Sequence, residues 1–249
     1  MCIRDSIDID RVDAGHLVDF LNRGREHRVG RYFEQLVQYW LVHVRGVELV
    51  GSGIQVIDAQ NRTIGEMDYL YRDERGRLVH CEATVKFFLH DQTNEGSHFP
   101  GPAARDNFER KVTKLFDKQL PLSLEHAPDV RLRVAFTRGC VFYQLGTRLP
   151  EMLPDRMAAG HLRGIWVRYS QRHDLDRFED GGFSIVEKPH WFAPVVDPTI
   201  VEDSDFHDTI DAHFDGPGYP VMVSVRNRAG SEIERCFVVP DSWPQMSSK

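Results

Sequence analysis

HCEATVKFFL, residues 80–89, is the stretch on which the reading of this chain turns. Side chains of a strand point to alternate faces. Here Cys81, Ala83, Val85, Phe87 and Leu89 share one face, which is uniformly apolar. His80, Glu82, Thr84 and Lys86 share the other, with Phe88 at its end. The alternation predicts a β-strand with one face on a core. A glutamate and a lysine on the other face ask for an explanation.

Two further strands are expected just before it. VELVGSGIQVID (47–58), GEMDYLYRD (65–73) and LVHCEATVKFFL (78–89) follow one another. The first two are separated by AQNRT, the second and third by RDERGR, whose Gly76 suits a hairpin turn. The three read as an antiparallel meander. GSG at 51–53 lacks the Lys-Ser/Thr ending of a phosphate loop, so a bulge or turn is the better reading. Ahead of them, RVGRYFEQLVQYWLVHV (28–44) repeats apolar residues at i, i+3, i+4 and i+7 for four turns, which predicts a helix, with Gly46 as its C-cap. Behind them, NEGSHFPGP (94–102) reads as a loop. ARDNFERKVTKLFDKQL (104–120) reads as a second helix, with Phe108, Val112, Leu115, Phe116 and Leu120 near one face and Pro121 at its end. VRLRVAFTRGCVFY (130–143) is a further strand or strand pair. The order is αβββαβ.

Beyond residue 150 the signals are shorter. HLRGIWVRYS (161–170) and FSIVEKPHWFAPVV (183–196) read as short strands or a strand and a turn of helix, and TIVEDSDFHDTIDAHFD (199–215) as an acidic helix. PVMVSVRNRAGSEIERCFVVPDSW (220–243) reads as a hairpin turning near Arg228–Gly230. The expected organisation is a mixed α/β (α+β) core over residues 1–150 and a β-rich C-terminal extension over 151–249. A Pro-containing zone at 189–198 is another place where a boundary could fall.

The preceding strand carries Asp68 on the face of Glu66 and Leu70. If it pairs with residues 78–89, Asp68 and Glu82 can meet on the polar face. Two carboxylates on adjacent strands repel unless something positive lies between them, and a hard divalent cation with oxygen ligands is a common solution. Such an ion can activate water and offset charge on a phosphate. Glu34, on the edge of the helix's apolar stripe beside Val37 and Leu41, could add a third carboxylate. Taken singly, a polar strand face is most often just solvated, and Glu34 a surface residue. The combination is what points elsewhere: a helix with Glu, a strand with Asp, a strand with Glu and Lys, then a Lys-rich helix.

That order resembles the core of the PD-(D/E)XK nuclease superfamily, an αβββαβ, restriction-endonuclease-like core with a mixed sheet flanked by helices. Several phrases also resemble the bacterial DUF1853 family: GRYFEQL, RTIGEMDYLY, HCEATVKFFL, GPAARDNFERKVTKLFDKQL and CFVVPDSWP. The similarity is densest over residues 28–121. It implies metal-dependent hydrolysis of phosphodiester bonds in DNA or RNA, with Mg²⁺ or Mn²⁺ held by Asp68 and Glu82. Glu34 would then be an auxiliary acid, Lys86 the motif's lysine and Lys111 a helper near the phosphate. The superfamily puts its lysine two residues after the acid, where this chain has Thr84. Four residues of strand span about 13 Å, against about 7 Å for two. Either Lys86 leans back, or Lys111 or Lys114 takes the role from the helix, or the site does not cut. The alternative is thus a catalytically inactive nuclease-fold module that binds nucleic acid or a protein partner. Relatives carry more chain before the first helix, so an incomplete N-terminal element is expected.

Other signals are weaker. Arg23, Arg25, Arg28 and Arg31 around His27 could grip phosphates, though such a run is more often a solvated helix start. Lys111, Lys114 and Lys118 line one helical stripe that could face a nucleic-acid backbone or merely water. The twelve histidines form no H-E-x-x-H pattern, and His80 reads as a neighbour of the site rather than a ligand. No serine elbow or reactive-cysteine context appears. Four scattered cysteines with no C-x-x-C pair argue for a reducing compartment, the cytoplasm, and against structural zinc. No apolar run reaches membrane-spanning length. With a formal charge of −7, nucleic acid would have to be held by local basic patches.

Overall fold

The computed structural model describes residues 11–24, 26–178, 182–194 and 203–245. Arg25 of the basic run, residues 195–196 of the expected strand and residues 199–202 of the expected acidic helix lie outside them, as do the first ten residues. The chain divides into two compact units, each made of two pieces: residues 1–85 with 111–138, and residues 86–110 with 139–249. Strands and helices are mixed throughout. Among the described residues no helix is long and apolar enough to cross a membrane.

The first unit opens with α1 (Ala14–Gly24), which has no buried residue. The i, i+3, i+4 spacing of Leu17, Phe20 and Leu21 is the signal that could have announced it. The expected helix follows as α2 (Val29–Tyr39), whose last turn widens into a π-turn over Trp40–Val44. Its apolar stripe buries Phe33, Val37, Trp40, Leu41 and Val44. Phe33 and Trp40 stack on Phe136, with ring centroids 6.0 and 5.4 Å away. The helix is closed by Val47 N–H donating back to Leu41 O at 3.1 Å, with Gly46 at φ +69°. That left-handed value suits glycine, the expected C-cap.

The meander is present as β1 (Glu48–Ile57), β2 (Thr63–Arg72) and β3 (Leu78–Leu89), each antiparallel to the next. The GSG segment is a bulge: the β1–β2 register shifts between Leu49 and Gly51. Asp73 makes the β2–β3 turn, its Oδ1 accepting from the N–H groups of Arg75 and Arg77 at 3.0 and 2.9 Å. Leu78 O accepts from Arg131 N–H, and Phe142 O accepts from His90 N–H. Start thus meets start and end meets end, so β6 (Leu132–Gln144) runs parallel to β3. A parallel neighbour requires a crossover, and the helical segment between the strands supplies it. This segment differs from expectation. It begins at Phe108 as α3 (Phe108–Lys114), passes through a π-turn over Leu115–Gln119, and resumes as α4 (Leu122–His126). Asn107 caps α3, its Oδ1 accepting from Arg110 N–H at 2.9 Å, which fixes the later start. Pro121 is the N-cap of α4 rather than the end of the helical run. Phe116, expected on the apolar face, is exposed, because the π-turn rotates it away from Leu115 and Leu120.

In the second unit the loop expected at 94–102 contains part of a small hairpin, β4 (Asp91–Thr93) with β5 (Gly96–His98). Then come β7 (Leu162–Arg168), a 3₁₀ segment over Tyr169–Phe178, β8 (Phe183–Ile185), a 3₁₀ turn at His190–Phe192, α5 (Asp203–Asp215), β9 (Val221–Arg226) and β10 (Glu232–Val239). Strand order there is β6-β7-β10-β9-β8, parallel for β6–β7 and β7–β10 and antiparallel for the rest. The hairpin expected over 220–243 is β9–β10. Its core is a cluster of Val167, Leu175, Phe183, Phe206, Ile210 and Val223 with their neighbours.

Candidate functional site

The β2–β3 ladder pairs Tyr69 with Cys81 and stops there. Continued by one residue, the register sets Asp68 opposite Glu82, on one face. Their side chains take over from the backbone at that point. Ala83 N–H donates to Asp68 Oδ2 at 2.8 Å, and Asp68 N–H to Glu82 Oε1 at 3.4 Å. On its other side Asp68 faces Gly53 of β1, between the pairs Ser52–Tyr69 and Ile54–Met67. The absence of a side chain at Gly53 leaves room. A cavity of about 290 Å³ stands over Asp68, walled by Glu34, Gln35, Glu66 and Arg31 among others.

The polar face of β3 is not solvated. His80 and Glu82 are 0% and 1% exposed, the opposite of the usual fate of charged strand residues. The crossover covers them. His80 Nε2 lies 2.8 Å from Glu82 Oε1, and Gln119 Nε2 donates to Glu82 Oε2 at 2.8 Å. His80 Nδ1 is 3.0 Å from Ser123 Oγ, which also accepts from Arg133 Nε at 2.9 Å. A buried carboxylate persists only when hydrogen-bonded and balanced. Here the chain Arg133–Ser123–His80–Glu82 brings a guanidinium to its far end. Gln119, Ser123 and Arg133 carried no sequence signal. They come from segments that reach β3 only once the crossover has packed.

Asp68 is less protected. Burial, then the charge of Glu82, push its carboxyl up to about 7; Glu34 and Glu66 add to this, and the Ala83 N–H opposes it. Arg31 partly balances the group from outside, donating to Glu34 Oε2 at 2.7 Å and Glu66 Oε1 at 3.5 Å. Tyr69 fixes the helix to the strand, its hydroxyl donating to Glu34 O at 2.6 Å. Glu34, Asp68 and Glu82 therefore share one neighbourhood. Lys111 is half-buried on α3, two turns before Gln119. Lys86 is half-buried on β3 and belongs to the second unit. Thr84, at the place of the superfamily's lysine, is half-buried. Within the basic run, Arg31 is engaged with the carboxylates and Arg28 with Glu26 at 3.4 Å.

The donor set above Asp68 fits a hard divalent cation. Its acids are Asp68, Glu34 and Glu66, whose mutual repulsion Arg31 now offsets from the cavity wall. Mg²⁺ uses one or two carboxylates and keeps several waters, so tight convergence is not needed. It is not present either: among the described residues the one triplet of His, Cys, Asp or Glu with ligand atoms within 4.8 Å of one another is His173, Asp176 and His207 in the second unit. The three cysteines among the described residues are poor nucleophiles. Burial pushes the thiols of Cys81 and Cys140 up to about 12, and that of Cys236 upward as well.

The Asp68 shift fixes a pH dependence. The carboxyl is raised from 3.8 to about 7 in the folded protein, so folding takes up a proton between those values. The stability this contributes is full below about pH 4 and is lost as pH rises through about 7. Asp68→Asn keeps an oxygen for Ala83 N–H and removes the repulsion. With EDTA present, the variant is expected to be more stable than wild type by up to roughly 4 kcal/mol at pH 8 and equal to it near pH 4. Thermal unfolding at the two pH values checks this, and an unchanged difference between them would contradict the assigned burial.

In comparison with known proteins, the family described as "Domain of unknown function (DUF1853)" matches residues 7–239. No curated protein and no solved structure shows significant similarity to the chain.

Proposed function

Since this chain belongs to the DUF1853 family, whose description carries no activity, we propose from its own residues that it is a nuclease-like protein that hydrolyses phosphodiester bonds of nucleic acid with a divalent cation, Mg²⁺ or Mn²⁺. The observation that carries this reading is the cavity over Asp68, walled by Glu34, Glu66 and Arg31 among others, above a carboxylate whose neighbour across the strands is Glu82. The order of elements supports a restriction-endonuclease-like core: helix, three antiparallel strands, a helical crossover, then a strand parallel to the third.

In this reading Asp68 holds the cation with Glu34 as auxiliary acid, and Arg31 gives up its carboxylate partners when the ion binds. Glu82, fixed by His80 and Gln119, sets the negative field behind Asp68. The cation would supply a lowered pKa for bound water and charge stabilisation at the phosphate. Lys111, in the same unit as Asp68, is the candidate amine for the phosphate.

Calorimetric titration with Mn²⁺ tests the proposal. Wild type is expected to give saturable heats that Asp68→Asn lacks. Cleavage of single- or double-stranded DNA or RNA should fall by about 10²–10³-fold in the same variant. Equal heats from both proteins would sink the metal site. A second reading, a non-cutting module that binds nucleic acid or protein, is favoured by one observation: the side chains that hold Glu82 are His80 and Gln119, and Thr84 stands in the lysine's place. Cation binding without cleavage would select it.

A further inference from the structure

We propose that His173, Asp176 and His207 form a second and chemically different metal site, one for a divalent transition ion, with Zn²⁺ the best match. It lies in the second unit and does not depend on the reading of Asp68. Ligand atoms of the three residues lie within 4.8 Å of one another. His207 Nε2 is 2.8 Å from Asp176 Oδ1, and His173 Nδ1 is 3.4 Å from Asp176 Oδ2. The imidazole rings face each other, centroids 4.4 Å apart.

The backbone explains the convergence. His173 and Asp176 stand three apart in the 3₁₀ segment 169–178. At 3.0 residues per turn, side chains at i and i+3 eclipse, so both point the same way. His207 comes from α5, which the Phe206 and Ile210 side chains anchor in the core. His207 Nδ1 is buried and has no hydrogen-bond partner, while its Nε2 faces Asp176. Arg172, which precedes His173, is committed elsewhere: it pairs with Asp211 and lies over the Tyr169 ring, 4.5 Å from its centroid.

The spacing also suits an ion. Tetrahedral Zn²⁺ at 2.0–2.1 Å from nitrogen or oxygen holds two ligands about 3.3 Å apart, and each imidazole lies near that distance from one oxygen of Asp176, His207 from Oδ1 and His173 from Oδ2. Two imidazoles and one carboxylate select zinc, nickel or cobalt over magnesium. With side-chain exposures of 59% for His173 and 43% for Asp176, the ion can enter from solvent. Three protein ligands leave coordination positions for water or an incoming donor, as in catalytic rather than closed structural zinc sites.

The test is calorimetric titration of the untagged full chain with Zn²⁺ alone, followed by Co²⁺ absorption spectra to report nitrogen and oxygen ligation. Wild type is expected to bind one ion here. His173→Ala, at an exposed position, should weaken binding at least about tenfold, and Asp176→Asn should do the same, both with unchanged thermal unfolding in EDTA. The same titrations are run in the Asp68→Asn background, where any ion held by the first site is lost, and the zinc step that His173→Ala removes should remain there, which separates this site from the first. Zinc binding that survives in His173→Ala and Asp176→Asn, or that is missing from wild type, overturns the proposal.

Discussion

Gly139→Ala is expected to prevent folding, or to cost about 4 kcal/mol or more where folding survives. Two independent causes converge on this residue. Its φ is +147°, a region that side chains rarely enter, and a Cβ built there would lie 1.7 Å from Lys86 O. The obstacle is backbone, so no rotamer change relieves it. β3 and β6 meet at this point, and separating them would cost the ladder between them. Gly30→Ala is the matched control. Nothing lies within 4 Å of a Cβ at Gly30, and the position is inside α2, where alanine is the better helix former by up to about 1 kcal/mol. Soluble yield and thermal unfolding of the two variants should diverge sharply. A Gly139→Ala protein with wild-type stability would refute the close approach.

The second large effect is expected at Glu82. Glu82→Ala removes the acceptor for His80 and Gln119 and for the Asp68 N–H, all at a position 1% exposed. Stranding such donors while opening a cavity should cost about 3–5 kcal/mol. Glu82→Gln keeps the volume and one acceptor oxygen and should cost less than half as much. It should also lower the Asp68 carboxyl from about 7 by removing the largest neighbouring charge. The pH dependence of stability between about 4 and 7 would then flatten. Urea denaturation at pH 5 and pH 8 reads both effects. A Glu82→Ala protein as stable as Glu82→Gln would mean that the buried network contributes little. For the proposed chemistry, Asp68→Asn is therefore the informative variant, since lost activity in Glu82→Ala would mix folding with function.

Much of this was legible in the residues, for local reasons. Period-two alternation announced the three strands of the meander, and period-3.6 apolar spacing announced α2. The polar face of β3 and the Asp68–Glu82 register follow from alternation plus a short hairpin. What escaped depends on long-range packing or on helical detail. A histidine and a glutamate on a strand read as solvated until Gln119 and Ser123 arrive from the crossover. π-turns at Trp40–Val44 and Leu115–Gln119 add a residue to a helical turn without a sequence mark, which is why Phe116 was expected on the wrong face. The His173–Asp176–His207 cluster joins residues from a 3₁₀ segment and a helix far apart in the chain. The small hairpin at 91–98 was hidden by loop-like composition.

The bulge at Gly51 has a consequence for behaviour at high concentration. β1 is the outermost strand of its unit, and it exposes apolar side chains, with Val50 and Ile57 each 50% accessible. A long, flat margin of that kind is a template onto which another molecule can add a strand. The irregular pairing at Leu49/Gly51, repeated near Val56/Ile57, breaks the row of free amide and carbonyl groups into short runs. An added strand would therefore find no long regular stretch to pair along, which works against strand addition at this margin.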